Sequence, residues 1–239
     1  QSWDLLKQDP FVRLDFQGAG VPAGQLILQA RDLNWTFAGA SDRLWSQNLN
    51  WTIQGPQRWH LKGANGSGKS TLMKILLSDE RPGGQLEGSI KRRENLAVAA
   101  LDQGYRSLDP AETLLQNLQR DTRLSELELR NELAFYGFTG DQVFQRAATF
   151  SGGERLRACL AQMFLASRIP ELIVLDEPTN NLDLMSLDLV EKALAGFVGA
   201  LIVISHDEAF VQNLGITDEL VLVRKEGLEP SSRKAYAPQ

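Results

Sequence analysis

Cysteine is nearly missing from the 239 residues: Cys159 stands alone, so no internal disulfide can form, and a reducing compartment is expected. Histidine is almost as scarce, with only His60 and His206. Two histidines and one cysteine are too few for a closed structural zinc site built on those ligands. Long apolar runs are also absent. The longest runs from Ala193 to Ile204, includes two glycines, and falls short of the roughly 20 residues needed to cross a bilayer. No transmembrane segment is expected. Positive charge is not in excess: 25 Lys and Arg against 30 Asp and Glu leave a net charge of −5. That balance gives no general pull toward nucleic acid or acidic lipid, so strong autonomous nucleic-acid binding is not expected. The start, Gln1-Ser-Trp-Asp4, has neither a basic nor an apolar signal region. It also lacks an initiating methionine, so a piece of a longer chain is expected, in the cytoplasm.

What is present is an ordinary globular composition, 43% hydrophobic and 23% charged, with enough chain to bury a core without staples. Residues 1–24 are irregular, punctuated by Pro10, Gly18, Gly20, Pro22 and Gly24. They read as the end of a lead-in or linker, with a short strand at residues 11–16. Strands follow at residues 26–37, 49–53 and 58–62, then a Gly-rich turn and a helix over 70–77. Two short strands fit 89–91 and 96–101. Asp109-Pro110 reads as an N-cap and first helical residue opening a helix through Leu114, Leu115 and Leu118. Ser125-Glu-Leu-Glu128 is a capping box opening a second helix, and a third is expected over 142–148. Strand and helix then alternate: strand 171–176, helix 186–197, strand 200–205, a short helix after Asp207 and a strand over 219–224. The pattern predicts an α/β fold whose parallel core carries a helical insertion at about 104–168. The domain is expected over 25–224, with a flexible polar tail over 225–239.

Gly63-Ala-Asn65-Gly66-Ser67-Gly68-Lys69-Ser70-Thr71 fits the phosphate-loop pattern. Glycines let the backbone curl so that consecutive N–H groups face phosphate oxygens, and the helix that starts there adds its positive dipole end. Lys69 reaches β- and γ-phosphates, and the Ser70 hydroxyl is a Mg²⁺ ligand. Leu172-Ile-Val-Leu-Asp176-Glu177 is a buried strand delivering two carboxylates to a sheet edge. Asp176 is read as the metal-organising acid and Glu177 as the group that polarises the attacking water. Ser151-Gly152-Gly153-Glu154 is a capping box ahead of an apolar helix. Its two consecutive glycines are poor helix formers, each costing roughly 1 kcal/mol relative to alanine. Bare backbone at that helix start suits the close approach of an anion.

In this order, the phosphate loop, Phe150-Ser-Gly-Gly-Glu154, Asp176-Glu177 and Ile204-Ser-His206-Asp207 resemble an ABC-type ATPase domain over residues 26–224. Glu154 in the signature, Asp176-Glu-Pro-Thr-Asn-Asn-Leu-Asp183 and Ser205-His-Asp207 are similar to the ABC-F branch in particular. The segment before Leu26 resembles the entry into the second of its two ATPase domains. The resemblance implies a P-loop NTPase fold with a parallel core sheet, an antiparallel β part and a helical subdomain. It further implies ATP and Mg²⁺ as cofactors, and a second ABC domain as partner, either in the same full-length chain or as a homodimer. Many members of the branch act on the ribosome, as translation or antibiotic-resistance factors, so ribosome association through parts outside this chain is implied too.

Gln103 matches the Q-loop glutamine, which senses Mg²⁺ and the attacking water. His206 matches the switch histidine, and Asp183 the D-loop aspartate that communicates across the dimer. Phe37 stands where an aromatic stacks on adenine, with Trp35 as the lesser candidate. Ser151 and Gly153 are implied to serve the γ-phosphate of the opposite domain, so one chain holds half of each of two sites. Two rival classes remain, the ATPase subunit of a membrane transporter and a non-enzymatic ATP-binding scaffold. Lys69, Asp176, Glu177 and His206 are all intact, which speaks against the scaffold. His60 and Lys62 depart from the nearly all-apolar strand expected ahead of the phosphate loop and are read as facing polar neighbours. Cys159 is read as core, and Lys91-Arg92-Arg93 as a solvated hairpin end rather than an RNA contact.

Overall fold

The structure, a computed structural model, describes residues 21–78, 82–101, 107–179 and 184–225. Its strands are β1 (Leu26–Phe37), β2 (Leu49–Gln54), β3 (Arg58–Lys62), β4 (Gly84–Arg92), β5 (Val98–Leu101), β6 (Leu172–Asp176), β7 (Ala200–Ile204) and β8 (Asp218–Val221). Its helices are α1 (Lys69–Leu77), α2 (Leu114–Gln119), α3 (Glu126–Phe135), α4 (Gly152–Phe164), α5 (Leu184–Ala195) and α6 (Glu208–Asn213). The chain divides into two compact units. One comprises Ile53–Leu61 and Arg92–Leu220 with the residues up to Ile27. The other comprises Leu28–Thr52, Lys62–Lys91 and the residues from Val221. Among the described residues no helix is long and apolar enough to cross a membrane.

The larger unit is built on the sheet β5-β6-β7-β3-β8, in which β5, β6, β7 and β3 run parallel. β6 and β7 are apolar on both faces and buried almost throughout, as central strands of a parallel sheet must be. Leu156, Cys159 and Leu160 of α4 join Ile173, Leu175, Leu201 and Val203 in one core. Cys159 is fully buried there. Arg58 is half-buried and would be costly unpaired. Its guanidinium donates to the carbonyls of Leu194, Phe197 and Leu214, closing the ends of two helical segments.

Two of the predicted helices differ. Asp109-Pro110 does not start α2. Asn117 takes hold of that segment, accepting from Asp109 N at 2.7 Å and donating to Asp109 O at 3.0 Å, and turns it. The helix starts four residues later, at a Thr113–Gln116 capping box. The helix expected over 142–148 is two 3-10 turns, Gly140–Phe144 and Ala147–Thr149. Arg146 pairs its backbone with Thr113, which keeps it extended and interrupts any helix there.

In the smaller unit β2, β1 and β4 form an antiparallel sheet, and α1 follows the phosphate loop. Leu28, Leu33 and Trp35 of β1 are buried. So is Asn34, whose amide is fully used. It donates to Trp45 O at 3.2 Å and Asn48 Oδ1 at 3.0 Å, and it accepts from the N–H groups of Trp35 and Trp45. One amide on β1 thus fixes the loop that leads into β2.

Candidate functional site

The phosphate loop lies between the end of β3 at Lys62 and the start of α1 at Lys69. Gly68 is the N-cap of α1. Its φ of 98° is left-handed, and no side chain among the described residues caps the helix. A helix start without a side-chain cap turns its positive dipole end toward whatever anion approaches it. A Cβ at Gly68 would stand 2.9 Å from Leu44 Cδ2 and from Trp45 Nε1, so glycine is required for space as well as for φ. Lys69 folds back, its Nζ donating to Gly63 O at 2.7 Å and Ala64 O at 3.3 Å. Ser67 N donates to Ala64 O at 3.0 Å and tightens the turn. The Ser67 hydroxyl is buried and has no hydrogen-bond partner among the described residues. Asn65, Gly66 and Ser70 are exposed and Thr71 half-buried. Among the described residues, a helix start without a side-chain cap, a hydroxyl without a partner and an ammonium held only by carbonyls of its own loop together fit a polyphosphate.

In the larger unit Asp176 ends β6, level with Ile204 at the end of β7. Glu177 follows with φ 51°, left-handed backbone that a non-glycine residue rarely adopts. Its N–H donates to Ile204 O at 2.8 Å, which holds the turn in place. The Glu177 carboxylate lies 3.4 Å from His206 Nε2. His206 is largely exposed, Glu177 only slightly. Carboxylate and imidazole thus meet where β6 and β7 end, and either group is of a type that can accept a proton from water.

The turn that carries His206 is held from both sides. Ser205 Oγ accepts from Asp207 N at 3.1 Å, and Asp207 caps α6 by accepting from Phe210 N. His60 is buried, and its Nε2 lies 3.1 Å from Ser205 O. A carbonyl only accepts, so Nε2 carries the proton. His60 therefore faces a polar neighbour, as read from the sequence, and ties β3 to the peptide ahead of His206.

Ser151 is the N-cap of α4, with Gly152, Gly153 and Glu154 in the first turn. The Glu154 carboxylate accepts from Ser151 N at 2.9 Å and from the Ser151 hydroxyl at 2.8 Å. These two bonds, the backbone one first, hold its carboxyl below the usual range. Ser151 and Gly152 are exposed, so the helix start is open to solvent. Phe37 is half-buried at the end of β1, edge-on to Trp35 with ring centroids 6.4 Å apart. Trp35 is 1% exposed and is core, not a stacking surface. Gln103 and Asp183 lie outside the described residues. Arg93 is held by Glu171 at 2.7 Å, a structural use for part of the basic run.

Sequence reasoning missed Trp45 and Arg224. They donate to the phosphate loop at Ser67 O and Gly66 O, and no motif marks them. His60 did leave a signal, as a polar residue in an apolar strand.

The ABC transporter family profile matches residues 46–180. The protein named "Probable ATP-binding protein YheS" of Escherichia coli K12 is 36% identical over 195 residues, 81% of this chain and 30% of YheS. ATP-binding protein Uup of Haemophilus influenzae is 33% identical over 200 residues, 80% of this chain and 29% of Uup. ABC transporter F family member 3 of Arabidopsis thaliana is 31% identical over 229 residues, 95% of this chain and 31% of that protein. The chain thus spans about three-tenths of the length of these relatives. A dimeric structure of the ATP-binding cassette MJ0796, in a post-hydrolysis state bound to ADP and Pi, shares the fold. Its TM-score is 0.62 at 20% identity, over 82% of this chain and 94% of that one. The chain belongs to the ABC transporter family: it is an ABC-type ATPase domain, binding ATP with Mg²⁺, and proteins of the F branch are among its relatives.

Proposed function

We propose that this chain is one ATPase half of a longer ABC-F-type protein, that ATP drives it to pair with a second ABC domain, and that the pairing acts on the ribosome. Kinship carries this reading: the relatives are each about three times its length, and one is named for the F branch. The residues support a division of labour. Lys69 and the N–H groups at the start of α1 bind the phosphates. Ser70, Asp176 and Gln103 hold Mg²⁺, which when bound draws charge from the phosphate oxygens. Glu177 takes the proton of the attacking water, and His206 holds the γ-phosphate side. Phe37 stacks on adenine. Ser151, Gly152 and Gly153 present the open start of α4 to the partner's nucleotide, Glu154 holds Ser151 in its capping pose, and Asp183 communicates across the pair.

Glu177→Gln tests the reading. Glutamine keeps the size of the side chain but cannot act as a base at neutral pH. In the full-length protein hydrolysis is expected to fall by about 10² to 10⁴, the usual weight of a general base, while ATP binding survives. The trapped pair then stays on its target and cosediments with ribosomes. Hydrolysis within threefold of the parent removes Glu177 from the mechanism, and no ATP-dependent cosedimentation removes the ribosome.

A further inference from the structure

Two side chains outside the phosphate-loop motif hold two consecutive carbonyls of the loop. The Trp45 indole N–H donates to Ser67 O at 3.0 Å, in a buried position. Arg224 Nη1 donates to Gly66 O at 3.1 Å. The two holders are joined to each other, because Trp45 and Arg224 form an antiparallel backbone bridge. On either side, Ser46 N donates to Val223 O at 3.1 Å and Lys225 N donates to Leu44 O at 3.1 Å. Lys225 also pairs with Asp42. Trp45 is itself fixed by the buried amide of Asn34, which both donates to and accepts from its backbone. Residues 42–46 and 222–225 thus form one hydrogen-bonded seat.

A peptide unit is planar, so fixing a carbonyl fixes the direction of the N–H across the same plane. Holding Gly66 O fixes the plane whose N–H, that of Ser67, closes the loop's own turn onto Ala64 O. Holding Ser67 O fixes the plane whose N–H, that of Gly68, opens α1. Packing agrees, since a Cβ at Gly68 would strike Trp45 Nε1 at 2.9 Å: indole and loop are already in contact. Lys69, by contrast, is held among the described residues only through the loop's own carbonyls, so its placement depends on theirs.

We propose that Trp45 and Arg224 are positioning residues for nucleotide binding, holding the Ser67 and Gly66 carbonyls so that the loop's N–H groups and Lys69 are aimed before ATP arrives. This rests on the reading that the loop binds the phosphates of ATP. The loop's N–H groups are then preorganised, and binding does not have to order them.

The test measures Mg-ATP affinity by calorimetry on the intact chain, beside the nucleotide-free unfolding midpoint. Trp45→Phe keeps most of the ring's bulk and removes the donor. Arg224→Met removes the second donor, and Arg224→Lys restores a cation at that position. Leu133→Ala, at a fully buried site on α3 in the larger unit, is the stability control. Trp45→Phe is expected to weaken ATP binding about tenfold, the scale of one buried acceptor left unpaired. Arg224→Met weakens binding several-fold, and Arg224→Lys recovers part of it. Leu133→Ala lowers the midpoint and leaves affinity within twofold. Affinity within twofold in folded Trp45→Phe and Arg224→Met overturns the proposal. So does an equal affinity loss in Leu133→Ala at equal loss of midpoint. If Trp45→Phe does not fold, the two Arg224 variants decide. Lys69→Ala separates the two ideas: unchanged affinity there overturns the loop reading itself, whereas weakened binding in Lys69→Ala alone overturns only the positioning role.

Discussion

Lys69 shows how much one residue carries and how little its surroundings bind it. Among the described residues its side chain meets only neutral carbonyls, at 2.7 Å and 3.3 Å, in its own loop. Removing it breaks no ion pair among the described residues, so the fold is expected to tolerate Lys69→Ala. ATP affinity is expected to drop, because a charged hydrogen bond of this kind contributes about 1.5–3 kcal/mol. Calorimetric titration with Mg-ATP checks this, and unchanged affinity would make Lys69 a surface lysine. Lys69 was legible in the sequence because its spacing from Gly63 and Gly68 is dictated by phosphate geometry. Glu177 was legible through the apolar run before it, though its left-handed φ was not, since nothing in a Glu codes for that backbone. Trp45 and Arg224 were invisible for a different reason. They act through backbone carbonyls, and a carbonyl accepts from any donor that the fold happens to bring near.

Among the elements, α4 ties local capping to pH most directly. The Ser151 N–H, then its hydroxyl, keep the Glu154 carboxyl below its usual range. A depressed pKa stabilises the folded state above the ordinary glutamate value, about 4.3, and that contribution is lost as pH falls through the lower folded value. Glu154→Gln keeps an acceptor and removes the titration. Between pH 6 and pH 3 its melting midpoint is therefore expected to fall less than the parent's, as thermal unfolding followed by circular dichroism would show. Equal falls would mean that the cap is not linked to pH. The cap was legible because Ser-x-x-Glu before an apolar run has a mechanism behind it. The same rule applied to Thr113 and Gln116 finds the start of α2, but the more conspicuous Asp109-Pro110 competes with it. Only the fold shows that Asn117 has claimed Asp109. The interrupted helix at 142–148 was hidden for a related reason: its break is a backbone pairing with a residue some thirty positions away.

For the whole molecule, the proposed pairing gives Ser151 a role that the single chain does not exercise. Ser151→Ala removes a cap, typically at a cost of about 1 kcal/mol, which the fold should survive. Its ATP affinity as a monomer should be unchanged, while ATP-dependent association with the second ABC domain is lost, as light scattering with and without Mg-ATP would report. Weaker ATP binding by the monomer would return the signature to its own chain's site. The order β5-β6-β7-β3-β8 was out of reach of local pattern, because it joins strands far apart in sequence. That distance bears on how the chain is made. The phosphate loop is complete by Thr71, yet Arg224 holds Gly66, and Leu222 N donates to Lys62 O just ahead of the loop. A growing chain therefore carries the entire motif through most of its synthesis without the C-terminal half of its seat. Contacts of such long range form late, when the last segment arrives. Nucleotide would then bind best to a finished domain, and a product cut short before residue 222 would display the motif with only part of its support.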